Sequence, residues 1–197
     1  MAVDEANIRR AARAIRAGDA VIFPTETVYG LGADALDPEA IERVFALKGR
    51  SRDKPLSLGV PDVETALTYT NPTDRERRFM DEFLPGPVTV IVERKPAVPD
   101  ELTGGLDRVG IRIPDHDVAL ALLREVEPVT ATSANVSGQP SAHVVTDIGP
   151  DLRDAVAVVL DDGETRGTES TVVDVEAGVI HRRGTLADDI EAWLREE

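Results

Sequence analysis

Cysteine is absent from this 197-residue sequence, which excludes a disulfide scaffold, zinc ribbons, iron–sulfur clusters and thiol chemistry. Lysine is almost absent: Lys48, Lys54 and Lys95 stand against 19 arginines. Aromatic residues make up 4%, and the three histidines (His116, His143, His181) are scattered without metal-ligand spacing, so no metal site is expected. Long apolar runs are missing too. The start, MAVDEANIRRAARAIRAGD, is charged throughout, unlike a signal peptide or a membrane span; a soluble, cytoplasmic protein is expected. No G-x-x-x-x-G-K-[ST] loop is present. Gly30–Ala35 matches G-x-G-x-x-A, but six residues separate it from Phe23, whereas a dinucleotide fingerprint follows its strand directly. Ser133 lies in ATSAN, not in the G-x-S-x-G elbow of a hydrolase.

What is present suits one domain over residues 1–197, with 42% hydrophobic and 30% charged residues. A chain of this length buries roughly 70% of its unfolded surface, enough for a core without staples. The 37 acids and 22 bases give a formal charge of −15. Such a surface fits either adaptation to high salt or plain acidity, and in both cases opposes loose binding to nucleic acid. The bases are not evenly spread. RVFALKGRSRDK, residues 43–54, holds five bases and one acid, leaving 17 bases and 36 acids elsewhere, net −19. A helix C-terminus explains Arg43 and Lys48. It explains Arg50, Arg52 and Lys54 poorly, since they lie beyond the expected helix end at Gly49. A pocket for a polyanion, such as a nucleoside triphosphate, accounts for the whole run.

Asp4 reads as the cap of an amphipathic helix carrying Ile8, Ala12 and Ile15 and stopped at Gly18. Asp37-Pro38 opens a second helix, with Ile41, Val44, Phe45 and Lys48. Further helices are expected over 71–84, near 117–126, and after Thr185-x-x-Asp188, the last carrying Ile190, Trp193 and Leu194. Strands are expected at 20–23, 56–60, 88–92, 109–113, 129–132, 156–160, 171–175 and 179–181, the last two joined by a turn at 176–178. Crossovers mixed with hairpins imply a single-domain α/β fold: a twisted, open, mixed sheet flanked by helices. Residues 96–107 and 161–169 read as surface loops, the second a candidate lid.

Four polar loops follow short strands: PTETVYGLG (24–32), the basic run into KPLS (54–57), TSANVSGQP (132–140) and EST (169–171). Open α/β sheets place their sites at such loops. Together with the basic run they point to a polar pocket for a small molecule. PTETVYGLG, KGRSRDKPLS, LPGPVT, VGIRIP, TSANVSG, ESTVVD and RRG occur in the order and approximate spacing of the YrdC-like family, which this sequence resembles from about Ile8 to Gly184.

The resemblance implies the short, single-domain form of an L-threonylcarbamoyladenylate synthase. Such an enzyme is a nucleotidyltransferase that joins L-threonine, bicarbonate and ATP, with Mg²⁺, and releases pyrophosphate. The product goes to a tRNA threonylcarbamoyl transferase that makes t6A; direct tRNA binding is weak or absent. By position, Lys48 and Arg50 are the catalytic candidates offsetting phosphate charge. Arg50, Lys54, Ser133, Asn135, Ser141 and Arg182 match ATP-binding positions, and Thr27, Arg112 and Ser170 threonine-binding ones, Arg112 through a bidentate pair with a carboxylate. Two positions depart from the pattern. Gly59 stands where some relatives carry a histidine, and Arg108 where some carry a threonine near the nucleotide; Arg108 is read either as a further phosphate contact or as a surface charge. An RNA-binding or ribosome-associated module without synthase activity is the rival reading, opposed by the acidic surface. A carbamoyl-transfer domain of a larger enzyme is a second.

Overall fold

The computed structural model describes residues 3–165 and 167–196. In chain order it contains α1 (Glu5–Arg16), β1 (Val21–Phe23), β2 (Gly30–Gly32), α2 (Pro38–Lys48), β3 (Ser57–Gly59), α3 (Val63–Tyr69) and α4 (Asp74–Phe83). There follow β4 (Val88–Glu93), α5 (Asp100–Thr103), β5 (Arg108–Arg112), α6 (Asp117–Glu125) and β6 (Val129–Ser133). A 3₁₀ turn (Val145–Asp147), α7 (Pro150–Ala155), β7 (Val158–Val159), β8 (Thr171–Asp174), β9 (Val179–Arg182) and α8 (Ala187–Glu196) complete it.

Local chemistry sets most boundaries. Asp4 accepts the Asn7 amide at 2.8 Å and caps α1. Asp37 caps α2 with Pro38 in its first turn, and Gly49, at φ 55°, ends it in the left-handed region that favours glycine. Thr73 and Glu76 form a reciprocal capping box, which starts α4 at Asp74 and not at Asn71. Thr185 does not cap α8: that helix begins at Ala187, and the Thr185 hydroxyl pairs with that of Thr168 at 2.8 Å. Three short helices and one strand were not expected. Among them, α3 is capped by Asp62, which accepts from Thr65 N at 2.7 Å. The strand is β2, inside the expected PTETVYGLG loop.

The strands form one sheet in the order β7-β1-β2-β6-β3-β5-β4-β8-β9, with β1/β7, β3/β5 and β4/β8 parallel and the other neighbours antiparallel. This is the expected open, mixed α/β arrangement. Alternation along β1 divides the core: Ala20 and Ile22 face one cluster, Val21 and Phe23 the other. The larger cluster joins α2 (Ile41, Val44, Phe45) and α4 (Phe79, Met80) to Leu31, Leu58, Val90, Ile111 and Val173 along one face of the sheet. On the opposite face α1 and α6 cover only the β1 end, through Ala12, Ile15, Ala119, Leu122 and Leu123. The rest of that face is open. Among the described residues no helix is long and apolar enough to cross a membrane.

Candidate functional site

The uncovered face carries a row of small side chains. Register pairs Gly30 with Ser133, Ser57 with Ala131 and Gly110, Gly59 and Thr89 with Arg112, and Thr89 with Val172. Paired residues point to the same side of a sheet, so six adjacent strands present one floor. Glycine is needed within it. A Cβ on Gly110 would lie 2.5 Å from Ser57 Oγ and 2.8 Å from Thr89 Cγ2; one on Gly32, beside the floor, would lie 2.9 Å from the Phe23 ring. Above this floor sits a cleft of about 250 Å³.

Its first wall is the turn after β1. Thr25 Oγ1 donates to Val28 O at 2.6 Å and receives the amides of Thr27 and Val28 at 3.2 Å. The Thr27 hydroxyl lies 2.8 Å from that of Thr25, in the cleft lining. The opposite wall is a hydrogen-bonded chain. Glu169 accepts from Ser141 Oγ at 2.7 Å and pairs with Arg182 Nη1 at 3.1 Å; Arg182 donates to Ser170 Oγ at 2.8 Å; and Ser170 lies 3.0 Å from Thr89 Oγ1.

Three arginines line the cleft. Arg50 is held by the carbonyls of Lys54 and Pro55 at 2.8 and 3.0 Å. Burial pulls its guanidinium below the ordinary arginine range, and the charge of Arg182 adds to this. Arg112 is 7% exposed. Its Nη2 lies 2.7 Å from Glu26 Oε1, yet neither that nitrogen nor either Glu26 oxygen completes an aligned hydrogen bond, and all three atoms are sealed from solvent. Burial lowers the Arg112 pKa, and the Glu26 carboxylate opposes the shift. One terminal nitrogen of the expected bidentate fork is thus turned toward the protein's own carboxylate.

Of the residues singled out in the sequence, Thr27, Arg50, Arg112, Ser133, Ser170 and Arg182 come together around the cleft. Ser141 sits behind it, bound to Glu169. Asn135 lies outside the lining: its amide nitrogen closes its own loop on Val136 O and Gln139 O, and its Oδ1 is buried without a partner. Lys54 is exposed and outside the lining. Lys48, expected to face phosphate, is 1% exposed and donates to the carbonyls of Ser133 and, at 2.7 Å, Asn135. Burial pushes its pKa down to about 8, helped by the charge of Arg50 and opposed by that of Glu169. The rest of the basic run is spent locally, Arg43 on Asp19 and Arg52 on Glu42.

Arg108 needs correcting on both readings. It is neither a phosphate contact nor a free surface charge, because it binds Glu76 at 2.6 Å, Ile91 O at 2.7 Å and Asp174 at 3.2 Å, at the far end of β5 from Arg112. The candidate lid is tied down over its described part. Tyr29, its phenol pushed up to about 12 chiefly by burial, donates to Gly163 O at 2.7 Å, and Thr165 N reaches His143 O at 2.9 Å. Arg166 of that stretch lies outside the described residues. Thr25, Ser57 and Glu169 lie in loops that the sequence assigns to the pocket without singling them out, and Thr89 was missed; for Ser57 and Thr89 the signal available was hydroxyl side chains at alternate strand positions.

An open α/β sheet whose bare face floors a cleft lined by three arginines and a ring of hydroxyls has the form of a site for a small anionic ligand. Comparison with known proteins goes further. Residues 13–184 match the Sua5/YciO/YrdC family model, described as "Telomere recombination", and the chain belongs to that family. It is 43% identical over 176 residues to the threonylcarbamoyl-AMP synthase of Pyrococcus abyssi, covering 88% of this chain and 52% of that protein. To the Bacillus subtilis threonylcarbamoyl-AMP synthase it is 39% identical over 199 residues, covering 99% and 54%. The chain therefore spans about half the length of these curated relatives. Among solved structures, Pyrococcus abyssi Sua5 complexed with L-threonine superposes with a TM-score of 0.91 at 40% identity, over 98% of this chain and 58% of that one. E. coli YciO gives 0.84 at 26% identity, over 92% and 91%.

Proposed function

We propose that this chain makes L-threonylcarbamoyl-AMP from L-threonine, bicarbonate and ATP with release of pyrophosphate, acting as a nucleotidyltransferase. What supports the reading is the cleft lining: Arg112 with the hydroxyls of Thr27, Thr89 and Ser170 suits an amino acid, and Arg50 and Arg182 are the cations available to phosphate. The names of the synthase relatives and the L-threonine complex of Sua5 support the substrate assignment.

In this scheme the threonine amine adds to bicarbonate with loss of water, giving an N-carboxylate. An oxygen of that carboxylate attacks the α-phosphorus and pyrophosphate departs. Such a transfer needs positioning and charge neutralisation more than covalent help. Arg112 holds the amino acid carboxylate, Thr27 accepts from its hydroxyl or ammonium, and Arg50 and Arg182 offset the phosphates. Among the described residues Glu169 is the one carboxylate in the cleft lining, and it is already engaged by Ser141 and Arg182. Mg²⁺ would arrive with the phosphates of ATP and offset the charge of the leaving pyrophosphate. The reading places the enzyme in the cytoplasm as one YrdC-like domain over residues 1–197. It passes its labile product to a tRNA threonylcarbamoyl transferase and binds tRNA weakly or not at all.

The test is pyrophosphate release from ATP with and without L-threonine and bicarbonate, with the adenylate identified by mass. Turnover indifferent to threonine overturns the proposal, and a tight tRNA complex persisting in high salt would favour the RNA-binding rival. Arg50→Ala should lower turnover at least 100-fold with an unchanged unfolding midpoint.

A further inference from the structure

Lys48 is the last residue of α2, so its carbonyl is one of the helix's unpaired terminal acceptors. Ser137 N takes that acceptor at 2.8 Å. From the same residue the ammonium reaches back to Ser133 O and to Asn135 O, the latter at 2.7 Å. One buried side chain and its own carbonyl thus bind three alternate residues, 133, 135 and 137, of the loop that follows β6. Gly138, at φ 85°, then turns the chain away. Ser133 stands at the point where that loop enters the cleft. Beyond Ser133 the pairing with β2 goes on for one more bond, Ala134 N to Tyr29 O at 2.8 Å, and Asn135 Nδ2 ties the loop to its own Val136 and Gln139 carbonyls; Lys48 is the tie that joins residues 133, 135 and 137 to α2.

We propose that Lys48 is a positioning residue: it never touches substrate, and it holds the backbone of residues 133–137 in the shape that presents Ser133 and the neighbouring backbone to the nucleotide. The inference deepens the synthase reading and rests on it for the identity of the ligand. Arginine in its place would keep the cation and several donors, whereas methionine keeps length and bulk and removes all donors. Loss of the ammonium therefore releases the loop without emptying the space it fills.

The test compares wild type, Lys48→Met and Lys48→Arg by amide hydrogen exchange and by calorimetric binding of a non-hydrolysable ATP analogue and of L-threonine. In Lys48→Met, amides 134–139 should exchange at least tenfold faster and the analogue should bind at least tenfold more weakly, with threonine affinity within twofold of wild type. Lys48→Arg should recover most of both losses. Lys48→Leu, which also removes every donor, is read in the same way should the methionine variant not yield folded protein. Unchanged exchange in the loop, analogue binding at the wild-type level, or equal loss of threonine and analogue would each overturn the proposal. The exchange arm decides the loop's dependence on Lys48 whatever the cleft binds. Failure of wild type to bind either ligand would instead count against the synthase reading.

Discussion

Glu26→Gln should destabilise the protein by about 3 kcal/mol. Arg112 and Glu26 meet at 2.7 Å, and the facing atoms, Arg112 Nη2 and both Glu26 oxygens, are sealed from water. Removing one partner of a buried pair costs about 3–5 kcal/mol, because the other charge is left uncompensated. The missing aligned hydrogen bond takes about 1 kcal/mol off that figure, which leaves about 2–4. Unfolding entropy near 2.1 cal/mol/K per residue gives about 0.4 kcal/mol/K for a 197-residue chain, so the midpoint should fall by about 7 °C. The assay is urea unfolding of wild type, Glu26→Gln, Arg112→Met and the double variant. Since the double variant buries no orphan charge, its loss should be smaller than the sum of the single losses by at least about 1.5 kcal/mol. A single-variant loss below about 0.5 kcal/mol, or additivity within about 0.3 kcal/mol, would refute the reasoning.

Lys48 gives a pH signature in stability. Its folded pKa, about 8, lies below its ordinary value of 10.5. Between those values the unfolded chain binds more protons, so this group's contribution should rise with pH from about 8 to 10.5, by at most about 3 kcal/mol. The charges of Arg50 and Glu169 act on it in opposite senses, and the two carbonyls it serves hold the gain below that bound. Unfolding free energies of wild type relative to Lys48→Met should show the rise across that window; parallel curves would remove it. Arg108→Met should cost about 2–3 kcal/mol by leaving the buried Glu76 carboxylate without its cation, its capping bond from Thr73 N remaining. It should leave both substrate KM values unchanged, because Arg108 lies four residues, about 13 Å, along β5 from Arg112. A raised KM for ATP would restore Arg108 to the site. Gly184→Ala drives a Cβ into the Glu169 carbonyl oxygen and to 2.7 Å from the Ser170 carbonyl carbon. It should push Ser170 off its wall and weaken L-threonine binding at least tenfold by calorimetry, and wild-type affinity would contradict that.

Elements governed by local chemistry were legible in the sequence. Asp4, Asp37-Pro38-x and Gly49 announce α1 and α2 because a cap acts within four residues of itself. The strand β2 was not legible: Gly-Leu-Gly has no strand propensity, and it is extended because Phe23 and Ser133 pair with Gly30 from either side. Likewise α3, seven residues long and with Ala66 alone buried, is too short to show a helical period. The floor of the site was hidden for a related reason. Ser57, Gly59, Thr89 and Ala131 become one surface only through a register across four strands, and no single stretch of sequence contains that register.

The basic run shows why charge density along a chain is a poor guide to field within a cleft. Residues 43–54 carry five bases and one acid in an acidic protein, yet of those five bases only Arg50 lines the cleft. Arg43 and Arg52 are paired with acids, Lys54 is exposed to solvent, and Lys48 spends its ammonium on carbonyls. The other two cations of the site come from β5 and β9, separated by 70 residues and by two intervening strands of the sheet. Each is accompanied by its own carboxylate, Glu26 for Arg112 and Glu169 for Arg182. Arg50 is held by carbonyls that orient it without neutralising it, and the exposed Asp53 carboxylate acts on it less than burial and the charge of Arg182 do. An incoming polyanion therefore meets one cation with no carboxylate in contact and two that must share it with the protein. On that ground Arg50→Ala is expected to weaken nucleotide binding more than Arg182→Ala, and equal losses would show that Glu169 does not hold Arg182 back.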